Sequence, residues 1–215
     1  DPKLTQDAEN VFNLLANQSK IPRLNKMMIA PFHLQRSLIE KVEKTALAAK
    51  QGVAGRIILK MNTLTDEKLM EALVQAGQAG VQIDLIIRGA CMLPAQRAGV
   101  TDNIRVRSII GRFLEHSRVF YFRSGEEESL YLSSADWMNR NMLRRVELAW
   151  PVEDVVLRQR IIDECLVAYL HDDLDAWIMD ANGQYTRVQP AKTKRVSLQA
   201  HGAQAALMGL YAAKQ

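Results

Sequence analysis

The sequence predicts an α/β fold: a mixed sheet flanked by helices, with a C-terminal hairpin and helix. Three observations carry this. Short apolar runs alternate with helix-periodic segments through the first ninety or so residues, the pattern of strands joined by helical crossovers. From Ile104 to Glu147 three apolar segments follow one another on short connections, one of them the Gly-rich acidic turn Gly125 to Glu128, which favours antiparallel pairing. Asn182-Gly183 follows the apolar run Trp177 to Met179, and Asn-Gly is the strongest short hairpin signal.

Taken in order, Leu4, Ala8, Val11, Phe12 and Leu15 recur at helical spacing, so residues 3 to 17 read as a short helix that stops before Pro22. Lys26 to Ala30 is a short strand ended by Pro31. Leu34, Leu38, Ile39, Val42 and Leu47 share one face of a helix that closes at Gly52. Arg56 to Met61 is a buried strand. Thr65 is the expected N-cap of the next helix, which runs to Gly80. Val81 to Arg88 is a third strand, and a long loop holding Pro94 and Gly99 follows Gly89. This first half reads β-α-β-α-β and implies a largely parallel sheet. Glu153 to Tyr169 is a further helix. The stretch Ser197 to Lys214 is Ala-rich and helical in pattern, weakened by Gly202 and Gly209.

With 215 residues, 48% of them hydrophobic and 24% charged, the chain can bury a sizeable core and is not disordered by composition. The net charge of +4 and pI of about 9.1 lean toward anionic partners but do not by themselves argue nucleic-acid binding. Cys91 and Cys165 form neither a disulfide framework nor a metal spacing, which suits a reducing compartment. No run is apolar enough to span a bilayer, and the N-terminus lacks a signal-peptide pattern. A start without Met fits a fragment or a processed product. There is no P-loop and no GxGxxG, so a bound nucleotide is not held by a Walker-type cradle.

The chemistry concentrates between Ile104 and Glu147. Arg105, Arg107, Arg112, Arg118, Arg140, Arg144 and Arg145 place seven of that stretch's eight guanidiniums there, with His116 in their midst. A guanidinium fork fits phosphate oxygens in a bidentate way, and a histidine beside it can act as acid, base or nucleophile. If the segment is a strand, His116 and Arg118 share a face. Ser133, Ser134 and Asn139 follow on a neighbouring strand end, and such a set can hold a phosphoryl group. The plain alternative is a satisfied, half-buried histidine among solvated edge charges. Arg88 ends an aliphatic strand ahead of Gly89, and Lys60 and Asn62 close another. Ligands in open α/β sheets sit beyond such carboxyl ends, although an arginine there can also simply reach water. Trp137 and Trp150 are expected in the core. His33, His171 and His201 lack partners at ligand spacing and are expected to be structural or exposed.

The segments APFHLQRSLIEKV, IILKMNTLTDEKLMEAL, GVQIDLIIRGAC, NIRVRSIIGRFLEHSRVFYF and LYLSSADWMNRNMLRRVEL strongly resemble the C-terminal part of the long-form polyphosphate kinases, from about Asp1 to about Pro190. The last two domains of that family resemble the two halves of phospholipase D enzymes. There a His-x-Lys is followed by Gly-Ser-x-Asn; here His116-Ser117-Arg118 and Ser133-Ser134-Ala135-Asp136 stand in those places, with Arg for Lys, Ser for Gly and Asp for Asn. These departures argue against phosphodiester hydrolysis. The resemblance implies a phospholipase D-like domain over residues 23–190. Residues 1–22 would be the end of the preceding domain and 191–215 a helical tail. It implies reversible transfer of the terminal phosphate of ATP to inorganic polyphosphate, with ATP/ADP and Mg2+ as cofactors. The phosphorylated histidine and the metal ligands would belong to a preceding domain outside this chain, so the isolated chain is expected to fold without synthesising polyphosphate. Arg88 would clamp phosphate and His116 would assist as acid or stabiliser. Roles for Lys60, Asn62, Arg112, Arg118 and Ser134 extend this by geometry. The implied partners are polyphosphate, ATP, the remainder of the same polypeptide and, in the full-length enzyme, further copies of itself, in the cytoplasm or peripherally at a membrane. The competing readings are a non-catalytic polyanion-binding module, a phospholipase D-like hydrolase or nuclease, and an oligomerisation module using the Ala-rich tail.

Overall fold

The computed structural model describes residues 1–17, 23–189 and 202–213. Nine strands form one mixed sheet. They are β1 (Met28–Ala30), β2 (Gly55–Met61), β3 (Gln82–Ile87), β4 (Ile104–Ile109), β5 (Val119–Ser124), β6 (Glu127–Ser133), β7 (Glu147–Pro151), β8 (Ala176–Met179) and β9 (Tyr185–Arg187). The helices are α1 (Pro2–Asn17), α2 (Leu34–Lys50), α3 (Glu67–Gln78), α4 (Asn139–Arg144), α5 (Val155–Ile161), α6 (Ala168–Leu170) and α7 (Ala203–Ala212). A π-helical turn, Ile162–Val167, joins α5 to α6, so the helix expected from Glu153 to Tyr169 is one rod with a bulge. The expected linker and the start of the expected tail helix, residues 190–201, lie outside the described residues, as does His201.

The sheet order is β1-β7-β6-β5-β2-β3-β4-β8-β9. Only β2, β3 and β4 pair in parallel; every other pairing is antiparallel. The expected parallel pairing of the first half holds for β2 and β3 and fails for β1, which pairs with β7 instead. β1 lies at the far edge against β7, with Met28 opposite Ala149, and α2 carries the chain back across β7, β6 and β5 to β2. Three residues of β1 cannot compete with the longer β5 for the edge of β2, with which β5 pairs over six positions, Gly55↔Ser124 to Lys60↔Val119.

The alternation of side chains splits the core between the two faces. Ile57, Leu59, Ile83, Leu85, Phe120 and Phe122 face α2 and α3, whose Leu34, Leu38, Val42, Leu69 and Leu73 are fully buried. Ile58, Ile86, Tyr121 and Ile109 face the α5–α6 rod and α7, through Leu166, Tyr169 and Ala203. Trp137 is fully buried, edge-on to Phe120, whereas Trp150 is half-buried. The N-cap of α3 is Asp66, not Thr65: its carboxylate accepts the Leu69 amide at 3.1 Å and the Gln35 side chain of α2 at 2.8 and 3.0 Å. The helix starts at Glu67, so the residue immediately before it reaches the free amides. The expected hairpin forms, with Gly183 at φ 79°.

Asp7 of α1 ties that helix to the entrance of β1. Its buried carboxylate accepts the backbone amides of Asn25, Lys26 and Met27 at 2.7, 2.7 and 2.9 Å, and the Asn25 side chain at 2.9 Å. Burial works to raise its pKa, but these four donors outweigh it and hold the carboxyl below its ordinary value. A depressed native pKa gives stability that is present above the unfolded value, near 3.9, and is lost as pH falls through the native one. Asp7→Asn is expected to lower stability at pH 7 and to flatten its loss below about pH 4. Urea midpoints from pH 7 to pH 3 test this; parallel curves for the two proteins would contradict it.

Candidate functional site at the carboxyl edge of the sheet

β2, β3 and β4 point the same way, and β6 runs with them. Their carboxyl ends therefore deliver Asn62, Arg88, Ile110 and Ser134 to one edge, where ligands of open α/β sheets bind. The connection from β4 to β5 cannot be a tight turn, because β3 and β2 stand between those strands. Residues 110–118 instead cross over the ends of β3 and β2. This crossing carries Glu115, His116 and Arg118 onto Lys60, Asn62 and Arg88.

The result is one continuous polar chain. Arg88 donates through Nη2 to Asn62 Oδ1. The Asn62 backbone N–H donates to Asp136 Oδ1 at 2.8 Å. Asp136 accepts the Arg118 fork at 3.0 and 3.1 Å. Arg118 Nη2 then meets His116 Nε2 at 3.0 Å. A guanidinium only donates, so His116 Nε2 is the accepting nitrogen in this arrangement. Asp136 and Arg118 are 7% and 14% exposed at their side chains, whereas His116 is exposed. The buried pair holds the histidine at the surface. Asp136 is itself fixed by Asn141, which accepts its amide at 3.1 Å and donates to Glu147 at 3.1 Å. Gly89 permits the approach of β3 to Asn62: its amide donates to the Asn62 carbonyl at 2.8 Å, and a Cβ there would lie 3.0 Å from that oxygen.

Beneath this chain lies a second pair. Lys60 Nζ donates to Glu115 Oε2 at 2.9 Å and sits 3.3 Å from the Tyr169 ring centroid. Burial pulls the Lys60 pKa down, partly offset by Glu115. Burial pushes Glu115 up, but Lys60, the Gln204 amide at 2.6 Å and the Tyr169 hydroxyl at 3.0 Å prevail and keep it below the ordinary carboxylate value. Gln204, from α7, also exchanges two 2.8 Å hydrogen bonds with the Phe113 backbone, so α7 clamps the crossing segment. Lys60, Arg88, Glu115 and Ser117 line a narrow crevice there.

Of the residues expected to act, the structure brings Arg88, Asn62, Arg118 and His116 into one chain and sets Lys60 beside it. His116 and Arg118 precede β5 rather than lying on it; direct hydrogen bonding, not strand alternation, joins them. Ser134 belongs to a different arrangement: its hydroxyl donates to Glu147 at 2.5 Å and accepts the Leu148 amide at 3.0 Å. Ser133 is likewise turned to the Leu148 carbonyl, at 2.8 Å. Arg112 is exposed, over the Phe113 ring at 5.4 Å. The seven arginines do not form one site. Arg105 and Arg107, the second and fourth residues of β4, line a different pocket together with Arg56 and Asp84. Arg140, Arg144 and Arg145 are exposed on and after α4. Glu115, Tyr169 and Gln204 went unrecognised as site residues. Glu115 stands next to His116 in sequence, which is a usable signal; Tyr169 and Gln204 carry none.

The guanidinium and imidazole groups at this edge suit the oxygens of ATP phosphates; Arg88 Nε is buried and has no hydrogen-bond partner among the described residues. Among the described residues no three His, Cys, Asp or Glu side chains converge; magnesium is commonly held by one or two carboxylates together with substrate phosphates. Among the same residues, no helix is long and apolar enough to cross a membrane.

Residues 27–199 match the family model for polyphosphate kinase C-terminal domain 2. The chain is 48% identical over 190 residues to a polyphosphate kinase of Pseudomonas aeruginosa, covering 88% of this chain and 27% of that protein. It is 44% identical over 211 residues to the Paraburkholderia phytofirmans polyphosphate kinase, covering 98% and 30%. The crystal structure of the Porphyromonas gingivalis polyphosphate kinase superposes with a TM-score of 0.90 at 33% identity, covering all of this chain and 32% of that one. The chain thus spans under a third of the length of these relatives, and it belongs to the polyphosphate kinase C-terminal domain 2 family.

Proposed function

We propose that this chain supplies one wall of the active site of an ATP–polyphosphate phosphotransferase, which moves the terminal phosphate of ATP reversibly onto an inorganic polyphosphate chain. The observation that carries this is the polar chain from Arg88 to His116 at the carboxyl edge of the sheet. Phosphoryl transfer depends on positioning and on electrostatic stabilisation of the equatorial oxygens. Arg88 contributes a guanidinium whose backbone is fixed by Gly89 and whose Nη2 is fixed by Asn62. His116 contributes an exposed imidazole whose Nε2 exchanges Arg118 for a phosphate oxygen, to which it gives or from which it takes a proton. Lys60, paired with Glu115, adds positive potential from below. Magnesium, bound by the rest of the polypeptide, would neutralise phosphate charge. The phosphohistidine intermediate likewise belongs to that remainder, with residues 1–22 leading into the catalytic unit 23–190 and residues 191–215 following it.

In this reading the isolated chain binds but does not turn over. Calorimetric titration with ATP and with polyphosphate is expected to show binding that weakens steeply with salt, as counterion release requires, and that falls in Arg88→Ala and in His116→Ala. Binding indifferent to both changes would assign the chain a general polyanion-binding role. Polyphosphate synthesis by the isolated chain would refute the division of the site.

A further inference from the structure

A second cluster of charge occupies the same face of the sheet as Lys60 and Arg88, but at the amino edge of the parallel strands. Arg56 and Lys60 are four residues apart on β2, about 13 Å along an extended strand, and Ile58 and Ile86 lie between the two places beneath Leu166 and Tyr169. A pocket at the amino edge is lined by Arg56, Asp84, Gln96, Arg105, Arg107 and His171.

Its charges do not cancel. Arg105 forks onto Asp84, with Nε 2.9 Å from Oδ1 and Nη2 3.2 Å from Oδ2. Arg56 donates to the same carboxylate through Nη2, while its Nη1 is buried and has no hydrogen-bond partner among the described residues. Arg107 donates to the carbonyls of Tyr169 and Asp172 at 2.9 and 3.3 Å. Arg56 and Arg105 thus share Asp84, the one lining carboxylate among the described residues, and Arg107 adds a third guanidinium beside them. The nearby Asp172 carboxylate is engaged by the amides of Leu174, Asp175 and Ala203, at 3.0, 2.7 and 2.6 Å, and its charge also acts on Arg107, which leaves three guanidiniums against two carboxylates. Gln96 reaches the rim from a backbone at φ 48°, in the left-handed region that non-glycine residues rarely adopt, and such local strain concentrates at ligand sites.

We propose that this pocket binds an inorganic phosphate group, either free or at the end of a polyphosphate chain, independently of the Arg88–His116 edge. Excess guanidinium charge selects a multiply charged oxyanion, and the planar forks match tetrahedral oxygens. The remaining wall is aliphatic, made by Val106, Leu170 and Ile178. Among the described residues its one ring is the His171 imidazole, with no Phe, Tyr or Trp platform for a nucleobase, which favours an inorganic chain over a nucleotide.

The test removes the first site and looks for the second. The chain carrying Arg88→Ala and His116→Ala is titrated with inorganic tripolyphosphate, and again after Arg105→Ala is added. Arg105 is exposed and Arg56 remains on Asp84, so the fold should persist; Arg105→Gln serves if alanine does not fold. The expected result is saturable binding by the double variant, weakened about tenfold or more without Arg105, as loss of charge-assisted hydrogen bonds implies. Arg105→Lys, with its charge but not its fork, should fall between. No tripolyphosphate binding by the double variant, or equal binding with and without Arg105, would overturn the site. Adenosine diphosphate binding as tightly as tripolyphosphate would overturn the inorganic assignment. Because Arg88 and His116 are already absent, failure here leaves the catalytic reading untouched.

Discussion

In the full-length polypeptide, His116→Ala is expected to slow phosphoryl transfer between ATP and polyphosphate by about 10²–10⁴-fold, the usual contribution of a positioned proton-transfer group. Arg88→Ala is expected to cost about 10²–10³-fold, as removal of one preorganised charge donor does. The two should differ in kind. Arg88 is held at the edge by Asn62 and carries a fixed charge, so its loss should be felt in the ground state as a raised KM for ATP as well as in kcat. His116 is exposed, and its Nε2 already has Arg118 as a partner, so its loss should appear mainly in kcat. Steady-state kinetics in both directions would decide. A His116→Ala enzyme with unchanged kcat would remove the imidazole from the mechanism and leave the edge as a binding surface alone.

Glu115→Ala is expected to destabilise the chain by about 3–5 kcal/mol, because it strands the Lys60 ammonium in a buried place without its partner. The side chains are 4% and 12% exposed, for Lys60 and Glu115 respectively, so solvent screens the pair little. The loss corresponds to roughly a 10 °C lower melting temperature for a chain of this size. Lys60→Met combined with Glu115→Gln should cost much less, since no charge is then left unpaired. Acid reads the same interaction. The Glu115 carboxyl is held below its ordinary value of 4.5, so its stabilisation is present above that pH and is lost as pH falls through the native value. The gap between wild type and Glu115→Ala should therefore narrow in acid. A small destabilisation, or a gap independent of pH, would show that Lys60 is not held by Glu115. The same substitution should loosen the crossing segment, because Glu115 also receives Tyr169 and Gln204, and should thereby couple stability to the placement of His116.

Much of this architecture was legible in the residues. Apolar periodicity located α2, α3 and the central strands, because each of those elements buries a face with a fixed repeat. Asn182-Gly183 announced its hairpin through the backbone that only such residues adopt readily. The carboxyl-edge positions of Arg88 and Asn62 followed from strand ends alone. The quoted segments carried the resemblance to the polyphosphate kinases, which the comparison bears out.

Pairing over long sequence distances was not legible. Nothing local tells β1 to lie against β7 rather than near β2, nor that residues 110–118 must cross β3 and β2 to reach β5; sheet order is a property of all nine strands together. That crossing separates Arg118, which meets His116, from Arg105 and Arg107, which stay on β4 beside Arg56 and Asp84. It likewise brings Gln204 to Glu115, two residues 89 positions apart. Residue type and spacing determined which groups could handle phosphate. The order and direction of the strands decided which of them meet, because strand direction sets which end of each strand reaches a given edge, and side-chain chemistry does not encode it.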